Sequence, residues 1–298
     1  MKKTAALFLL LSSITSLCFA QTSKGSLVAD GATVQLVSSD FKFTEGPAAD
    51  KEGNVYFTDQ PNDKIMKWSV DGKISVFMDG TGRSNGMFFD GKGNLYTAAD
   101  EKNQVLMIDR DKNVTVLVKD FEGKRLNGPN DLWIDKKGGI YFTDPFYKRD
   151  YWSHSEKEIA EENVYYLSPD RKTVTIAISG LTQPNGIIGT PDGKILYVAD
   201  IGARKTYSYS INSDGTLSDQ KLFAEMGSDG VTLDSKGNLY LTGRGITVFN
   251  PKGEKIETIP VDAPWTANLC FGGKDRKTLF ITAGTSVYTL KMNVKGAY

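Results

Sequence analysis

The chain has 298 residues, of which 40% are apolar and 24% charged, a composition typical of a folded globular protein. Basic and acidic side chains number 36 each, so the net charge is zero and we expect no nucleic-acid partner. A single histidine cannot form a multi-histidine zinc site and two cysteines cannot form a four-thiolate one, so any metal would be held mainly by oxygen.

Residues 1–20 have the three parts of a secretory signal peptide. Lys2 and Lys3 form a basic start, residues 5–11 are apolar, and Cys18-Phe19-Ala20 is a cleavage site. We expect a periplasmic or secreted product that begins at Gln21. The apolar run is shorter than the roughly 20 residues of a membrane-spanning helix, so no membrane insertion is expected.

A segment of about ten residues recurs six times in the remaining chain. Each copy is a polar turn followed by a short strand of β-branched and aromatic residues, which is typical of a β-hairpin. A spacing near 40 residues predicts an all-β protein, a six-bladed β-propeller. The six copies contain the turn aspartates Asp50, Asp90, Asp135, Asp192, Asp234 and Asp275.

The two ends of the chain predict how the ring closes. After residues 286–292 no fourth strand remains for the last blade, whereas residues 33–37 form an alternating strand without a blade. We expect this N-terminal strand to complete the last blade, since an open propeller leaves an exposed edge. No linker divides residues 21–298, which are predicted to be a single domain.

A residue with a side-chain oxygen precedes each repeat at an equivalent position. The first strand of a propeller blade lines the central channel, so these six residues are predicted to form a ring. Two carboxylates and four amides are costly to bury unless a hard cation satisfies them, which favours Ca²⁺ or another divalent cation. The alternative is turn formation, because glycine follows four of the six. The six are Glu45, Asn85, Asn130, Asn185, Asp229 and Asn268.

Four segments resemble a known family. Glu45-Gly46-Pro47, residues 127–131, Pro184-Asn185-Gly186 and Asp229-Gly230 are similar to signatures of the gluconolactonase and regucalcin (senescence marker protein) family, whose relatives include diisopropyl fluorophosphatase. The resemblance implies a divalent cation, usually Ca²⁺, and hydrolysis of sugar lactones or, in some members, organophosphates. One departure is Gly128, where regucalcins place a sugar-binding arginine. The implied metal ligands are Glu45, Asn130, Asn185 and Asp229.

With this resemblance, the sequence predicts an exported Ca²⁺-dependent hydrolase that opens a sugar or hydroxy-acid lactone. A small molecule is the expected partner, and no obligatory protein partner is evident. Asp229 would act as general base, or as nucleophile in an organophosphatase-like variant. The remaining polar candidates for substrate contact are Asn85, Asn268, Arg83 and Arg125, and the two arginines have the alternative of being solvated loop residues.

The third repeat carries an insertion that is predicted to cover the metal. Asp135 and Asp192 are 57 residues apart, whereas Asp50 and Asp90 are 40 apart. The excess lies in residues 145–163, on the face where the inner strands begin. Its aromatic side chains would line the pocket mouth, or would only pack the loop on its own blade. They are Phe146, Tyr147, Tyr151 and Trp152.

Another class of function is compatible with the same pattern. A propeller can serve as a non-catalytic binding platform in which Ca²⁺ is structural. A structural ion would be sealed by protein, whereas a catalytic ion keeps coordination positions that face a pocket.

Overall fold

Six four-stranded antiparallel sheets make up the computed structural model, which describes residues 25–298. Four consecutive strands form each of the first five sheets, so the sheets are the successive blades of a propeller. The predicted all-β, six-bladed architecture is confirmed. The predicted signal peptide, residues 1–20, lies outside the described residues and stays a prediction.

The strands follow the chain blade by blade. The bounds are β1 (Gln35–Ser38), β2 (Thr44–Ala49), β3 (Val55–Asp59), β4 (Lys64–Trp68), β5 (Ile74–Asp79), β6 (Ser84–Phe89), β7 (Leu95–Ala99), β8 (Gln104–Ile108), β9 (Val114–Val118), β10 (Leu132–Ile134), β11 (Ile140–Thr143), β12 (Glu162–Leu167), β13 (Val174–Leu181), β14 (Pro184–Gly189), β15 (Ile195–Asp200), β16 (Lys205–Ile211), β17 (Leu217–Ala224), β18 (Val231–Leu233), β19 (Leu239–Gly243), β20 (Gly245–Phe249), β21 (Lys255–Ile259), β22 (Asn268–Gly272), β23 (Thr278–Ala283) and β24 (Ser286–Lys291). A short 3₁₀ turn, Gln60–Asn62, follows β3. Within the described residues no helix has the length and apolarity needed to cross a membrane.

The N-terminal strand closes the ring as predicted. β1 pairs antiparallel with β24, with Gln35 opposite Thr289 and Leu36 opposite Tyr288. It is therefore the outermost strand of the sixth blade, whose other strands are β22 to β24. The strand lies slightly later than the predicted residues 33–37, and an irregularity between Leu36 and Ser38 accompanies the shift.

The repeated aspartate fixes the turn between the first two strands of a blade. Asp50 Oδ1 accepts hydrogen bonds from the backbone N–H groups of Glu52 (3.0 Å) and Asn54 (2.9 Å). Asp90 repeats this pattern in the second blade. A side chain that satisfies its own turn stabilises the hairpin locally, which explains why this repeat is visible in the sequence.

Large side chains fill the spaces between blades. Trp133, Tyr141, Phe57 and Phe280 are fully buried, and the rings of Phe57 and Phe280 lie 5.4 Å apart between the first and sixth blades. This packing between sheets holds the inner strands in fixed positions around the channel.

Removing the closing strand should destabilise the whole ring. A chain that begins at Ser39 lacks β1 and leaves β24 as an unpaired edge, which favours association between molecules. We expect a loss of about 2 kcal/mol or more, which lowers the melting temperature by roughly 4 °C or more, together with oligomers in size-exclusion chromatography. The control begins at Gly25. Equal melting temperatures and two monomeric proteins would contradict the role assigned to β1.

Candidate functional site

The six predicted ring residues meet at one end of the channel. Glu45, Asn85, Asn185 and Asn268 lie at or near the starts of β2, β6, β14 and β22, whereas Asn130 and Asp229 lie two residues before β10 and β18. Asn268 Nδ2 donates to Glu45 Oε2 (3.1 Å) across the seam between the sixth and first blades. Asn185 Nδ2 donates to Asp229 Oδ1 (3.0 Å) between the fourth and fifth. The inner strands thus bring the candidate oxygens together.

Glycines allow the inner strands to come this close. A Cβ on Gly46 would lie 1.8 Å from the backbone oxygen of Asn85, and one on Gly230 would lie 2.2 Å from Asn268. Gly86 and Gly186 similarly abut the third and fifth blades. The contact between neighbouring blades therefore requires the glycine after each of these ring residues, and Gly46 also has a positive φ of 41°.

Glu45 is a buried carboxylate close to other acidic groups. Its Oε2 accepts hydrogen bonds from the Gly46 N–H (2.7 Å) and from Asn268. Burial raises the pKa of Glu45 well above its ordinary value, and the charges of Asp229 and Asp131 raise it further. A positive ion at this position would relieve both effects.

Asp229 is partly exposed at the mouth of the channel. The Nε1–H group of Trp265 donates to its Oδ2 (2.7 Å), and Asn185 donates to its Oδ1. Burial among protein atoms raises the pKa of Asp229 to about 6, against these two hydrogen bonds and the charge of Arg149. Trp265 lies in the loop between the fifth and sixth blades, and sequence reasoning did not identify it because this loop has no repeated pattern.

Asp131 is a third acidic group at the ring that sequence reasoning did not single out. It is buried, and its two oxygens accept hydrogen bonds from the N–H groups of Leu132 (2.9 Å) and Ile187 (3.5 Å). Burial raises the pKa of Asp131 to about 7. The sequence feature that could have identified Asp131 is its position directly after Asn130, within the segment of residues 127–131.

Amide oxygens complete the potential donor set. Asn85 Oδ1 is buried and has no hydrogen-bond partner in the part of the chain that the structure describes. Asn130 is also buried. Its backbone oxygen accepts a hydrogen bond from the Gly86 N–H group (2.8 Å), which links β6 to the third blade. Within residues 25–298 no group of three or more His, Cys, Asp or Glu side chains is arranged to hold a metal ion, so a cation here would depend on these amides.

Residues 145–161, the loop between β11 and β12, lie over the same end of the channel. Tyr147 Oη accepts a hydrogen bond from Asn185 Nδ2 (2.9 Å), so this side chain reaches the ring. Trp152 instead packs inside the loop, where its ring stacks on His154 at 4.6 Å and lies 5.8 Å from Phe146. Its Nε1 donates to the Asp100 carbonyl oxygen (2.7 Å). Tyr147 therefore contacts the ring, and Trp152 anchors the loop.

The two predicted arginines have partners in this loop. Arg125 forms an ion pair with Glu158 (2.8 Å), and the Arg83 guanidinium lies 4.2 Å from the ring centre of Tyr151. Arg83 also donates to the Pro61 carbonyl oxygen (2.8 Å). The structure therefore shows both side chains supporting the loop, and their contact with a substrate carboxylate stays a prediction.

Gly128 has no space for a longer side chain. A Cβ there would lie 3.2 Å from the Trp152 ring and 3.3 Å from Asp100 Oδ1. A longer side chain at residue 128 would therefore have to displace Trp152 or Asp100.

A cavity of about 660 Å³ occupies the channel beneath the ring. Asp131 and Asn268 lie at its upper end, and Asp90, Asp135 and Tyr298 at its lower end. Because no residue of the 145–161 loop lines it, this cavity is not the space between the ring and that loop.

The sequence pattern of the SMP-30/Gluconolactonase/LRE-like region matches residues 43–285. The chain belongs to this family. A gluconolactonase of Zymomonas mobilis subsp. mobilis is 31% identical over 294 residues, with 88% of this chain and 82% of the relative covered.

Solved structures agree with the family assignment. A gluconolactonase from Xanthomonas campestris superposes with a TM-score of 0.82 at 28% identity, over 89% of this chain and 91% of that one. The calcium-binding protein regucalcin from Agrobacterium tumefaciens gives a TM-score of 0.72 at 18% identity, over 89% and 95%, and shows the shared fold. The resemblance seen in the four sequence segments is confirmed.

Replacing Gly46 with alanine should test the close approach of the first two blades. The new methyl group would overlap the Asn85 backbone, so we expect a loss of roughly 2 kcal/mol or more and a lower melting temperature. Gly72→Ala is the matched control, because Gly72 also has a positive φ (80°) and no atom lies within 4 Å of a Cβ there. Equal melting temperatures for the two variants would contradict the contact.

Proposed function

We propose that this protein is an exported, Ca²⁺-dependent lactone hydrolase of the gluconolactonase type. The observation that carries the proposal is the ring at the channel mouth, in which Glu45, Asp131 and Asp229 lie close enough to influence one another's ionisation. The names of the related gluconolactonases supply the reaction class. Export is proposed from residues 1–20.

The donor set suits a hard divalent cation. Glu45 and Asp229 supply carboxylate oxygens, and Asn130 and Asn185 supply amide oxygens, which are the ligand types of Ca²⁺. The unpartnered Asn85 Oδ1 and the raised pKa of Glu45 both indicate that the ring needs a positive partner. The relative from Agrobacterium tumefaciens is described as a calcium-binding protein, which supports this choice of ion.

The chain's own residues account for the remaining chemistry. When bound, the cation would polarise the carbonyl group of a lactone. Asp229, with a pKa of about 6, is ionised at neutral pH and can accept a proton from water that adds to that carbonyl. The Nε1–H group of Trp265 holds its carboxylate in one orientation. Tyr147 accepts from Asn185, so its own hydroxyl hydrogen remains available to a substrate oxygen.

The exposure of the site favours catalysis over a purely structural ion. Asp229 is partly exposed, and the Trp265 side chain above it is 38% exposed. Solvent therefore reaches the carboxylate that would bind the cation, whereas a structural ion would be sealed.

We predict that Ca²⁺ binding stabilises the folded protein. Saturating Ca²⁺ at about 100 times its Kd should add about 2.7 kcal/mol to stability and raise the melting temperature by roughly 5 °C. Glu45→Gln should reduce this shift, and Glu52→Gln, which changes an exposed glutamate of the repeat turn, should not. Because the pKa values of Glu45 and Asp229 are raised, protons compete with the cation, so calorimetry should find weaker binding at pH 5 than at pH 8. A melting temperature indifferent to Ca²⁺ and chelator would contradict the site.

We predict that the protein hydrolyses lactones when Ca²⁺ is present. Aldonolactones, aryl esters and a phosphotriester are assayed with a pH indicator, with and without Ca²⁺. We expect lactone opening in Ca²⁺, and a loss of roughly 10²- to 10⁴-fold in kcat for Asp229→Asn with the fold retained. Asp79→Asn, a change at a surface side chain that is 68% exposed, is the control. Hydrolysis of the phosphotriester alone would favour the organophosphatase alternative, and no turnover of any compound would favour the binding platform.

A further inference from the structure

Arg149 is a charged side chain beside the ring that the proposed reaction does not use. It belongs to the 145–161 loop, and its Nε atom lies 2.6 Å from Asp100 Oδ2. The Arg149 side chain is 26% exposed, whereas the Asp100 side chain is 4% exposed. No acceptor in the described part of the chain bonds its Nη1 or Nη2 atom. The outer edge of this guanidinium is therefore free to bind a ligand.

Other contacts place this edge next to the ring. The guanidinium carbon of Arg149 lies 5.5 Å from the ring centre of Tyr147, whose hydroxyl is bonded to Asn185. Asn185 in turn donates to Asp229. Burial raises the pKa of both Asp229 and Tyr147, and the nearby positive charge of Arg149 opposes this rise in each. One tyrosine side chain thus separates the guanidinium from the atoms proposed to react.

Two guanidinium groups lie near the carboxylate that anchors the loop. Burial raises the pKa of Asp100, and the nearby Arg149 and Arg83 guanidinium groups oppose this rise. Two guanidinium groups therefore share one buried carboxylate. Arg83 lies against Tyr151 and donates to Pro61, whereas among residues 25–298 the outer nitrogens of Arg149 have no hydrogen-bond partner.

We propose that Arg149 binds an anionic group of the substrate, so that the enzyme prefers lactones bearing a carboxylate or phosphate. This inference rests on the proposed lactone hydrolysis and deepens it. A guanidinium offers two parallel N–H donors that match a carboxylate or phosphate. A substrate whose carbonyl lies at the ring would extend its far end past Tyr147 towards Arg149. Sugar lactones carry an acidic group at that end when the terminal carbon is oxidised or phosphorylated.

The experiment compares kcat/KM for charged and neutral lactones. The probes are D-glucaro-1,4-lactone and 6-phospho-D-glucono-δ-lactone, with D-glucono-δ-lactone as the neutral compound. Arg149→Gln should lower kcat/KM for the anionic lactones roughly 10- to 100-fold, mainly through KM, and change the neutral one less than about 3-fold. Arg149→Lys should restore part of the loss. Added salt should raise KM for the anionic lactones alone.

Tyr151→Phe is the matched control for the loop. Tyr151 Oη donates to the same oxygen, Asp100 Oδ2 (2.6 Å), so its removal weakens the same anchor without removing a positive charge. This variant should affect the charged and neutral lactones equally.

Equal losses for Arg149→Gln on both kinds of lactone would show a role in loop structure only and overturn the proposal. Equal kcat/KM values for the neutral and anionic lactones, unchanged in Arg149→Gln, would also overturn the proposal while leaving the lactonase function intact. If the unaltered protein hydrolyses none of the lactones, both the Arg149 proposal and the proposed lactonase function are overturned.

Discussion

Six inner strands converge on one axis, and the burial and mutual repulsion of the acidic groups they bring there govern the rest of the site. Glycines such as Gly46 and Gly230 allow the strands to touch, so the side chains beside them are forced together. Glu45, Asp131 and Asp229 then lie at the same end of the channel, and burial among protein atoms raises the pKa of each. Packing between blades provides the stability that keeps these groups in place, and a cation would turn the repulsion into binding.

The loop over the third blade converts this ring into an asymmetric site. Tyr147 meets Asn185 of the fourth blade, and Trp265 meets Asp229 of the neighbouring fifth blade. Asp100 anchors the loop through Arg149, Tyr151 and the Trp152 indole. One end of a substrate can thus be held by the ring while the other is held by the loop.

The fold was predictable because each blade repeats the same local chemistry. The turn aspartates satisfy their own hairpins, so Asp50 and its counterparts leave a signal at regular spacing. The ring residues were predictable for the same reason, since their positions repeat with the blades. Trp265 and Arg149 lie in single loops that no other blade repeats, and their approach to Asp229 depends on tertiary packing. The sequence likewise predicted an aromatic loop, but only the structure separates Tyr147 at the ring from Trp152 within the loop.

The central claim is that the ring binds one catalytic cation, and a crystal structure of the protein grown with Ca²⁺ tests it most directly. The account predicts a single ion at the axis, with oxygens of Glu45, Asn130, Asn185 and Asp229 at about 2.4 Å and at least one position open towards the 145–161 loop. The Asn185 amide would turn its oxygen towards the ion. An ion bound elsewhere, or a ring that stays closed by the Asn185–Asp229 and Asn268–Glu45 hydrogen bonds in saturating Ca²⁺, would contradict it.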